Sequence, residues 1–310
     1  MSAKGRPERE HRSAQREGNP ATFQVALKLG RISNLPTVWT NTLAGVVLAG
    51  GAIADARVPW LLLALSLCYT AGMFLNDAFD REFDARHRPE RPIPSGEVTA
   101  TTVFGAGFAM LAVGIALLGW VGYGFSEGTG WRPALAGVAL AATIVFYDWR
   151  HKENPLSPVV MGLCRVLVYA TAAYAIVASP SQAVFAMSFL LLCYLIGLTY
   201  IAKQEHLERV ANLWPLAFLA APLLWGLQAS LTDASVAGIG LVFLLWVVYS
   251  LAFLRRRRPG DVPRAVGGLL AGICLWDALV LAAAGRTSVA ALALALFGLT
   301  LLLQRYVSPT

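Results

Sequence analysis

An acidic run follows directly on a long uncharged stretch of the chain. Asn76, Asp77, Asp80 and Asp84 come at and just after the end of residues 58–76, which carry no charge. At 100° per residue on one helix, Asp80, Asp84 and Asp77 fall at about 40°, 80° and 100° from Asn76, so three carboxylates crowd one face. Such a face either stays solvated at a helix end or is neutralised by a divalent cation. Mg²⁺ typically takes one or two carboxylates plus oxygens of a phosphorylated substrate. We interpret the run as a metal-diphosphate site with Asp77, Asp80 and Asp84 as ligands.

The loop after the acidic run is basic and rich in proline. Residues 85–97 contain Arg86, Arg88 and Arg91, and Pro92 follows the last of them. A guanidinium contacts phosphate oxygens in a bidentate manner, which suits a diphosphate held beside a metal. We expect Arg86 and Arg88 to serve membrane topology or surface ion pairs. Arg91 is the better candidate for substrate binding.

Composition places these residues in a polytopic membrane protein. Hydrophobic residues make up 57% of the 310 positions and charged residues 14%, with a mean hydropathy of +0.59. Uncharged stretches near or above membrane-spanning length recur along the chain. Residues 264–285 add a further apolar stretch, which contains Asp277. The longest stretch is expected to divide into two helices at Ser179-Pro180-Ser181, which gives ten candidate spans. The uncharged stretches are residues 32–54, 58–76, 99–121, 133–147, 166–202, 210–232, 234–254 and 287–304.

Loop charge predicts the orientation. With the N-terminus inside, most basic loop residues fall in the inner loops, whereas the outer loops hold Arg57, Arg132 and Arg286. We therefore expect a multi-pass protein of the cell membrane whose N-terminus and acidic run are cytoplasmic. The net charge is +7, and most of the basic residues lie in short loops beside the spans. Membrane topology and contact with anionic lipid explain these positions, which argues against nucleic-acid binding. The four cysteines lie in apolar stretches without Cys-x-x-Cys spacing, which indicates packing residues.

Two linked motifs resemble those of the UbiA family of intramembrane prenyltransferases. They are Asn-Asp-x-x-Asp-x-x-x-Asp at residues 76–84 and Arg-Pro-Ile-Pro-Ser-Gly at residues 91–96. The resemblance implies an all-α fold, a nine-helix bundle with a central cavity open to lipid. It also implies Mg²⁺-dependent departure of diphosphate from a polyprenyl diphosphate donor and capture of the isoprenyl group by an acceptor. We expect a basic tail and amphipathic approach at residues 1–30, the bundle at 31–285, and an additional tenth helix at 286–310.

The loop after the fourth span carries the next candidates. The family usually has a tyrosine here with a lysine four positions on, whereas Tyr147 is followed by His151 at that distance and by Lys152 one residue later. Lys152 is flexible enough to take the diphosphate-binding role, and Arg150 with His151 is the alternative. Tyr147 and Trp149 could face a developing carbocation, although interfacial aromatic residues also serve as membrane anchors.

The fifth span begins with a charge inside an apolar stretch. Residues 154–165, from Asn154 to Arg165, resemble an EboC-like and actinobacterial subgroup of the family. A charge this far into a span normally faces a cavity or a partner. We expect Arg165 to contact substrate or diphosphate, with snorkelling to the inner surface as the alternative.

The chain departs from the family pattern after the sixth span. A second aspartate cluster is usual there, but Lys203, Glu205, His206 and Glu208 occupy the region. Glu205 could still hold a metal, Lys203 could replace that metal as a fixed cation for the diphosphate, or the site could be degenerate. His206 could supply a ligand or a base. The first two possibilities rank above the third because the first acidic run is intact.

Two further polar residues lie at membrane depth, Asn41 and Asp277. The resemblance implies that Asn41 lines the cavity and binds substrate, whereas Asp277 is expected to hold the bundle together through a partner such as Arg165. We predict a Mg²⁺-dependent prenyltransferase with Asn76, Asp77, Tyr147 and Lys152 in catalytic roles and an unidentified small-molecule or lipid acceptor. Two alternatives stay open: phosphoribosyl-type transfer onto a polyprenyl phosphate, and a non-catalytic lipid-binding or transport protein.

Overall fold

The structure is a computed structural model that describes residues 20–152, 154–203, 214–231, 233–256 and 258–308. All of the regular elements in these ranges are helices, as the apolar composition predicts, and short 3₁₀ turns at Ile32–Asn34 and Trp214–Leu219 precede α2 and α9. The α-helices in chain order are α1 (Pro20–Leu29), α2 (Leu35–Leu48), α3 (Val58–Phe79), α4 (Arg81–His87), α5 (Ala100–Tyr123), α6 (Arg132–Arg150), α7 (Ser157–Ile176), α8 (Gln182–Lys203), α9 (Ala220–Ala229), α10 (Ala234–Arg256), α11 (Asp261–Ala283) and α12 (Thr287–Leu303).

Membrane-spanning character is clearest in six of these helices. Within the described ranges, α3, α5, α7, α8, α10 and α11 are long and apolar enough to cross a bilayer, and α9 and α12 are shorter apolar helices. The predicted all-α polytopic bundle is therefore confirmed. The division of the long stretch at residues 166–202 also falls where expected, since α7 ends at Ile176 and α8 begins at Gln182.

The core of the bundle is built around α11. This helix packs against α2, α8, α10 and α12. Of its apolar 18-residue segment, 89% is buried, compared with 22% for the corresponding segment of α10. The last helix, α12, also packs against α2, and Gln304 donates a hydrogen bond of 3.1 Å to Asn34 Oδ1. The C-terminal helix thus packs against α2 instead of standing apart from the bundle.

The two ends of the bundle differ in chemistry. At one end, the buried Arg57 guanidinium pairs with Asp55 and donates to the backbone oxygens of Glu127 and Ala175, which ties three connections together. The opposite end gathers the connections after α3, α6 and α10 together with the end of α8, and these carry the acidic run and several of the basic loop residues. The predicted chemistry is therefore concentrated at one mouth of the bundle.

Candidate active site

The acidic run spans a junction between two helices instead of one continuous helix. α3 ends at Phe79, Asp80 adopts φ −81° and ψ −1°, and the short α4 begins at Arg81. Backbone hydrogen bonds nevertheless continue through the junction, from Asp80 N to Asn76 O and from Asp84 N to Asp80 O, each of 2.9 Å. Because the helical hydrogen bonding continues, the carboxylates remain grouped at the mouth of the bundle.

Two arginines from different parts of the chain neutralise Asp77. Its Oδ1 lies 2.8 Å from Arg91 Nη1 and 3.2 Å from Arg31 Nη2. The same Arg91 nitrogen lies 3.3 Å from Asp84 Oδ2, so one guanidinium bridges two carboxylates of the run. Both carboxylates are buried. Arg91 is therefore integral to the cluster, and its predicted contact with the diphosphate stays a prediction.

A different loop neutralises Asp80. Lys152 Nζ lies 3.0 Å from its Oδ1 and His151 Nε2 lies 3.5 Å from its Oδ2. Burial by itself would raise the pKa of Asp80, but hydrogen bonds and charge from His151 and Lys152 outweigh it and hold that pKa below the ordinary value. At Asp84, burial together with its acidic neighbours outweighs the opposing charge of Arg91, so its pKa is raised. The site therefore contains both a strongly ionised carboxylate and one that is easier to protonate.

These side chains surround a cavity of about 770 Å³ at the mouth of the bundle. Its wall combines carboxylates with cations, which suits a magnesium-bound diphosphate better than either charge alone. The predicted residues that line it are Asn76, Asp80, Asp84, Arg91, Tyr147, Lys152 and Lys203, and the lining also includes Arg31, His87, Arg88, His151 and Arg258. A neighbouring cavity of about 470 Å³ shares Arg31, Arg88 and Arg91 with the first and adds Asp77, Lys28 and Glu90.

Sequence reasoning missed Arg31 as a site residue. Its guanidinium reaches Asp77 and lies 3.5 Å from Asn76 Oδ1, although it is 46 positions from Asp77 in the chain. Its backbone is left-handed, with φ 41°, the only such non-glycine residue in the described part of the chain. A strained backbone of this kind is often retained at functional sites. The signal in the sequence was the turn at Gly30-Arg31 just before the first span, but its partner depends on how α1 folds back.

Lys203 has partners other than the acidic run. Its ammonium lies 2.9 Å from Asn154 O, 2.9 Å from Ser157 Oγ and 3.3 Å from His151 O. An ammonium has three hydrogens, so these contacts can occupy all of its donors while its stem lines the 770 Å³ cavity. Lys203 therefore supports the loop that carries Lys152. Its predicted contact with diphosphate stays a prediction, and Glu205 and His206 lie outside the described residues.

The other residues predicted near Tyr147 lie on two sides of α6. Tyr147 stacks on His151 with ring centroids 5.0 Å apart. Trp149 and Arg150 instead contact each other, with the guanidinium carbon 4.2 Å from the ring centroid. This pair lines an adjoining open cavity of about 720 Å³, which shares Asp80, His151 and Lys152 with the first. Between the two sides, Asp148 is buried and accepts a hydrogen bond of 3.2 Å from Asn76 Nδ2.

The interior polar residues form a chain of hydrogen bonds across the bundle. Arg165 donates to Asn41 Oδ1 at 3.0 Å, Asn41 donates to Asp277 Oδ2 at 2.7 Å, and Tyr169 donates to Asp277 Oδ1. Asn41 and Asp277 are fully buried. Asp277 thus holds the bundle together through Asn41, which links it to Arg165. The proposed substrate contacts of Asn41 and Arg165 stay predictions.

The acidic run offers hard oxygen ligands of the type that Mg²⁺ prefers. Within the described ranges, no three or more His, Cys, Asp or Glu side chains form a group that could hold a metal ion unaided. A magnesium ion that arrives with a diphosphate needs only one or two carboxylates, because phosphate and water oxygens complete its shell. Asp80 and Asp84 line the same cavity and supply these. The donor set therefore fits Mg²⁺ in the presence of substrate.

Comparisons with known proteins identify the family and the fold. The UbiA prenyltransferase family model matches residues 38–266. A digeranylgeranylglyceryl phosphate synthase from Methanopyrus kandleri is 28% identical over 262 residues, covering 83% of this chain and 92% of that protein. The structure of a UbiA homologue from Aeropyrum pernix K1 superposes with a TM-score of 0.62 at 17% identity, covering 81% and 97% of the two chains. A solved digeranylgeranylglyceryl phosphate synthase gives a TM-score of 0.57, also at 17% identity, covering 84% and 98%. The chain therefore belongs to the UbiA prenyltransferase family and is a membrane-embedded prenyltransferase.

Proposed function

We propose that this enzyme transfers an isoprenyl group from a polyprenyl diphosphate to the hydroxyl of a phosphate-bearing lipid, with Mg²⁺ as cofactor. The observation that carries the proposal is the 770 Å³ cavity, whose wall holds Asp80 and Asp84 beside Arg91 and Lys152. Carboxylates can hold the metal while the cations contact the remaining phosphate oxygens. The apolar helices above the mouth supply a dry environment for the isoprenoid chain.

The chemistry follows from where charge develops. The bond between C1 of the isoprenyl group and the diphosphate oxygen breaks, and its electron pair leaves on the diphosphate. The acceptor oxygen then bonds to C1 and its proton leaves with the diphosphate, so atoms and charge balance. Asp77, Asp80 and Asp84 would hold a bound Mg²⁺, which would supply charge stabilisation to the departing diphosphate. Arg91 and Lys152 stabilise the same charge, which is where such a site gains most of its rate.

Two residues beside the cluster have supporting roles in this proposal. Asn76 lies between Arg31 and Asp148: its Oδ1 accepts a hydrogen bond from Arg31, and its Nδ2 donates one to Asp148. It therefore fixes the orientation of the acidic run. Tyr147 presents its ring at the inner wall of the cavity, beside His151. An aromatic face in this position can stabilise positive charge on the allylic carbon.

The second cavity supports a phosphorylated acceptor. Lys28, Arg31, Arg88 and Arg91 line it, and they outnumber its carboxylates. The relative from Methanopyrus kandleri is named for a glyceryl phosphate that carries two geranylgeranyl groups. We therefore propose an acceptor of the same kind, a glyceryl phosphate with one isoprenyl chain and a free hydroxyl. Its phosphate would bind in this basic cavity, next to the donor.

The active-site mouth is proposed to face the cytoplasm, because the basic loops surround it. The four natural cysteines are buried or half-buried. A Ser95→Cys variant should therefore react with a membrane-impermeant thiol reagent in inverted membrane vesicles but not in intact cells. Reaction in intact cells would contradict this orientation.

The test of the function uses purified protein in detergent. Geranylgeranyl diphosphate, geranylgeranylglyceryl phosphate and Mg²⁺ are supplied, and diphosphate and the doubly prenylated lipid are quantified. We expect both products in equal amounts, and neither with EDTA. Consumption of a phosphoribosyl diphosphate with a polyprenyl phosphate would favour the alternative transfer reaction. Failure to release diphosphate from any isoprenyl diphosphate would overturn the proposal.

A further inference from the structure

A small pocket lies inside the bundle, directly behind the acidic run. It measures about 60 Å³ and is lined mainly by apolar side chains of α2, α3, α6 and α7, with Tyr69, Tyr147, Asp148 and Arg165 as its main polar lining. A single water needs about 10–15 Å³ of such volume. The pocket therefore has room for a small polar group, such as a hydroxymethyl, in an otherwise apolar surrounding.

Asp148 brings an unused acceptor atom to this region. The residue is 4% exposed, and its Oδ1 is occupied by the hydrogen bond from Asn76. Its Oδ2 is buried and has no hydrogen-bond partner in the part of the chain that the structure describes. Buried polar atoms are almost always paired, so an unpaired one calls for an explanation, such as a ligand that is bound only during function.

Two other polar groups at the pocket, Arg165 and Tyr69, already have partners. Arg165 donates to Asn41, and its guanidinium carbon lies 5.7 Å from the ring centroid of Tyr69. Tyr69 itself donates to Arg31 O at 3.1 Å. Among the buried side-chain oxygen and nitrogen atoms of this lining, Asp148 Oδ2 is the one without a partner in the described residues, and in the ionised side chain this oxygen accepts hydrogen bonds. The ligand that fits is a hydrogen-bond donor without negative charge, and a hydroxyl meets both conditions.

The pocket also adjoins the place where the donor must react. Tyr147 lines both this pocket and the 770 Å³ cavity. Asn76 joins Asp148 to the acidic run and lines that cavity as well. A hydroxyl held at Asp148 would therefore lie next to the end of the isoprenyl chain that carries the diphosphate.

We propose that Asp148 Oδ2 accepts a hydrogen bond from the hydroxyl of the prenyl acceptor and so selects an alcohol as the nucleophile. This inference rests on the proposed function and names a residue of the same site that the sequence motifs do not mark. Asp148 orients the hydroxyl oxygen toward C1 of the donor. The bond-making and the proton's departure with the diphosphate remain as given above.

The test replaces Asp148 with asparagine. Asn76 donates to the side chain at this position, so the new amide oxygen should stay toward Asn76 and the amide NH₂ should replace Oδ2. A donor then stands where the hydroxyl needs an acceptor. We expect the KM for geranylgeranylglyceryl phosphate to rise on the order of 10- to 100-fold, as for loss of a hydrogen bond to a charged group. Magnesium-dependent diphosphate release from geranylgeranyl diphosphate without acceptor is measured alongside, and the acceptor KM should change by a larger factor than this rate.

The matched control is Glu82→Gln, which removes a carboxylate from an exposed position of α4. It should leave the KM values for both substrates unchanged. An unchanged acceptor KM in Asp148→Asn, with normal diphosphate release, would overturn the inference but leave the proposed function intact. The pocket would then hold a resident water only. No diphosphate release by the wild-type enzyme would overturn both.

A second measurement requires no variant. Binding of geranylgeranylglyceryl phosphate to the wild-type protein is compared with binding of its hydroxyl methyl ether, which cannot donate a hydrogen bond. We expect the ether to bind at least about 10-fold more weakly, because Oδ2 is left unpaired. Equal binding of the two lipids would overturn the inference.

Discussion

Replacing Lys203 with methionine should loosen the loop between α6 and α7. The substitution keeps the apolar stem and removes the ammonium that joins His151 O, Asn154 O and Ser157 Oγ. A hydrogen bond to a charged group contributes about 1.5–3 kcal/mol when buried. Lys203 is only half-buried, and water can replace part of these contacts, so we take about 1–2 kcal/mol for all three together. That corresponds to an increase of about 5- to 30-fold in local opening.

Hydrogen exchange measured by mass spectrometry can detect this opening. Peptides that cover residues 151–157 should exchange about 5- to 30-fold faster in Lys203→Met, while peptides from α11 should not change. The KM for the isoprenyl diphosphate should rise as well, because the loop positions Lys152. The comparison variant is Lys152→Met, which should raise the same KM without faster exchange of the loop. If Lys203→Met raises the KM but leaves exchange unchanged, Lys203 binds the diphosphate directly and our interpretation of its contacts is wrong.

Three other predictions test the cluster and the core. Arg91→Ala should raise the KM for the donor about 10- to 100-fold because two carboxylates lose their shared cation, whereas Arg86→Ala should have little effect in the same steady-state assay. Arg31→Ala and Arg31→Gly should both impair transfer. The alanine variant should have a free energy of unfolding about 1 kcal/mol lower than the glycine variant, because glycine tolerates the left-handed backbone and alanine does not. Equal stability of the two variants would contradict this. Asn41→Leu should destabilise the protein by about 3–5 kcal/mol, since Arg165 and Asp277 lose their connecting group. Unchanged thermal unfolding in detergent would refute the last prediction.

Much of the fold could be predicted from the sequence because membrane helices are specified by local composition. Apolar runs of spanning length gave the polytopic bundle, and Ser179-Pro180-Ser181 correctly divided the longest of them. The family could be predicted for a related reason. The acidic run and the Arg-Pro loop together span residues 76–96. The combined motif can therefore be recognised without knowledge of the tertiary structure. The structure brings Asp77, Asp84 and Arg91 into contact, as the motif suggests.

The remaining features depend on contacts between distant segments. Arg31 reaches Asp77 only because α1 and the following turn fold against α3. Lys203 was expected to face the diphosphate, but its hydrogen-bond partners belong to a loop about 50 positions earlier in the chain. The sequence motifs do not mark Asp148. Its unpaired oxygen becomes visible only when the packing of α3, α6 and α7 is known.

The break between α3 and α4 shows a further limit of sequence reasoning. Helical spacing predicted one continuous face for the acidic run, and the chain instead passes through a junction at Asp80. The distinction matters chemically. The junction separates Asp77, which faces two arginines, from Asp80, which faces Lys152 and His151. Periodicity alone cannot place such a junction, because the helical hydrogen bonds continue through it.

The central claim is that the acidic run drives magnesium-dependent departure of diphosphate. Its most direct test is the rate of diphosphate release from geranylgeranyl diphosphate by the wild-type protein, Asp80→Asn and the surface control Glu82→Gln, each with and without Mg²⁺. We predict release by the wild type and by Glu82→Gln only with Mg²⁺, and a loss of about 100-fold or more in Asp80→Asn. Equal release by Asp80→Asn and the wild type, or release that persists in EDTA, would contradict the account.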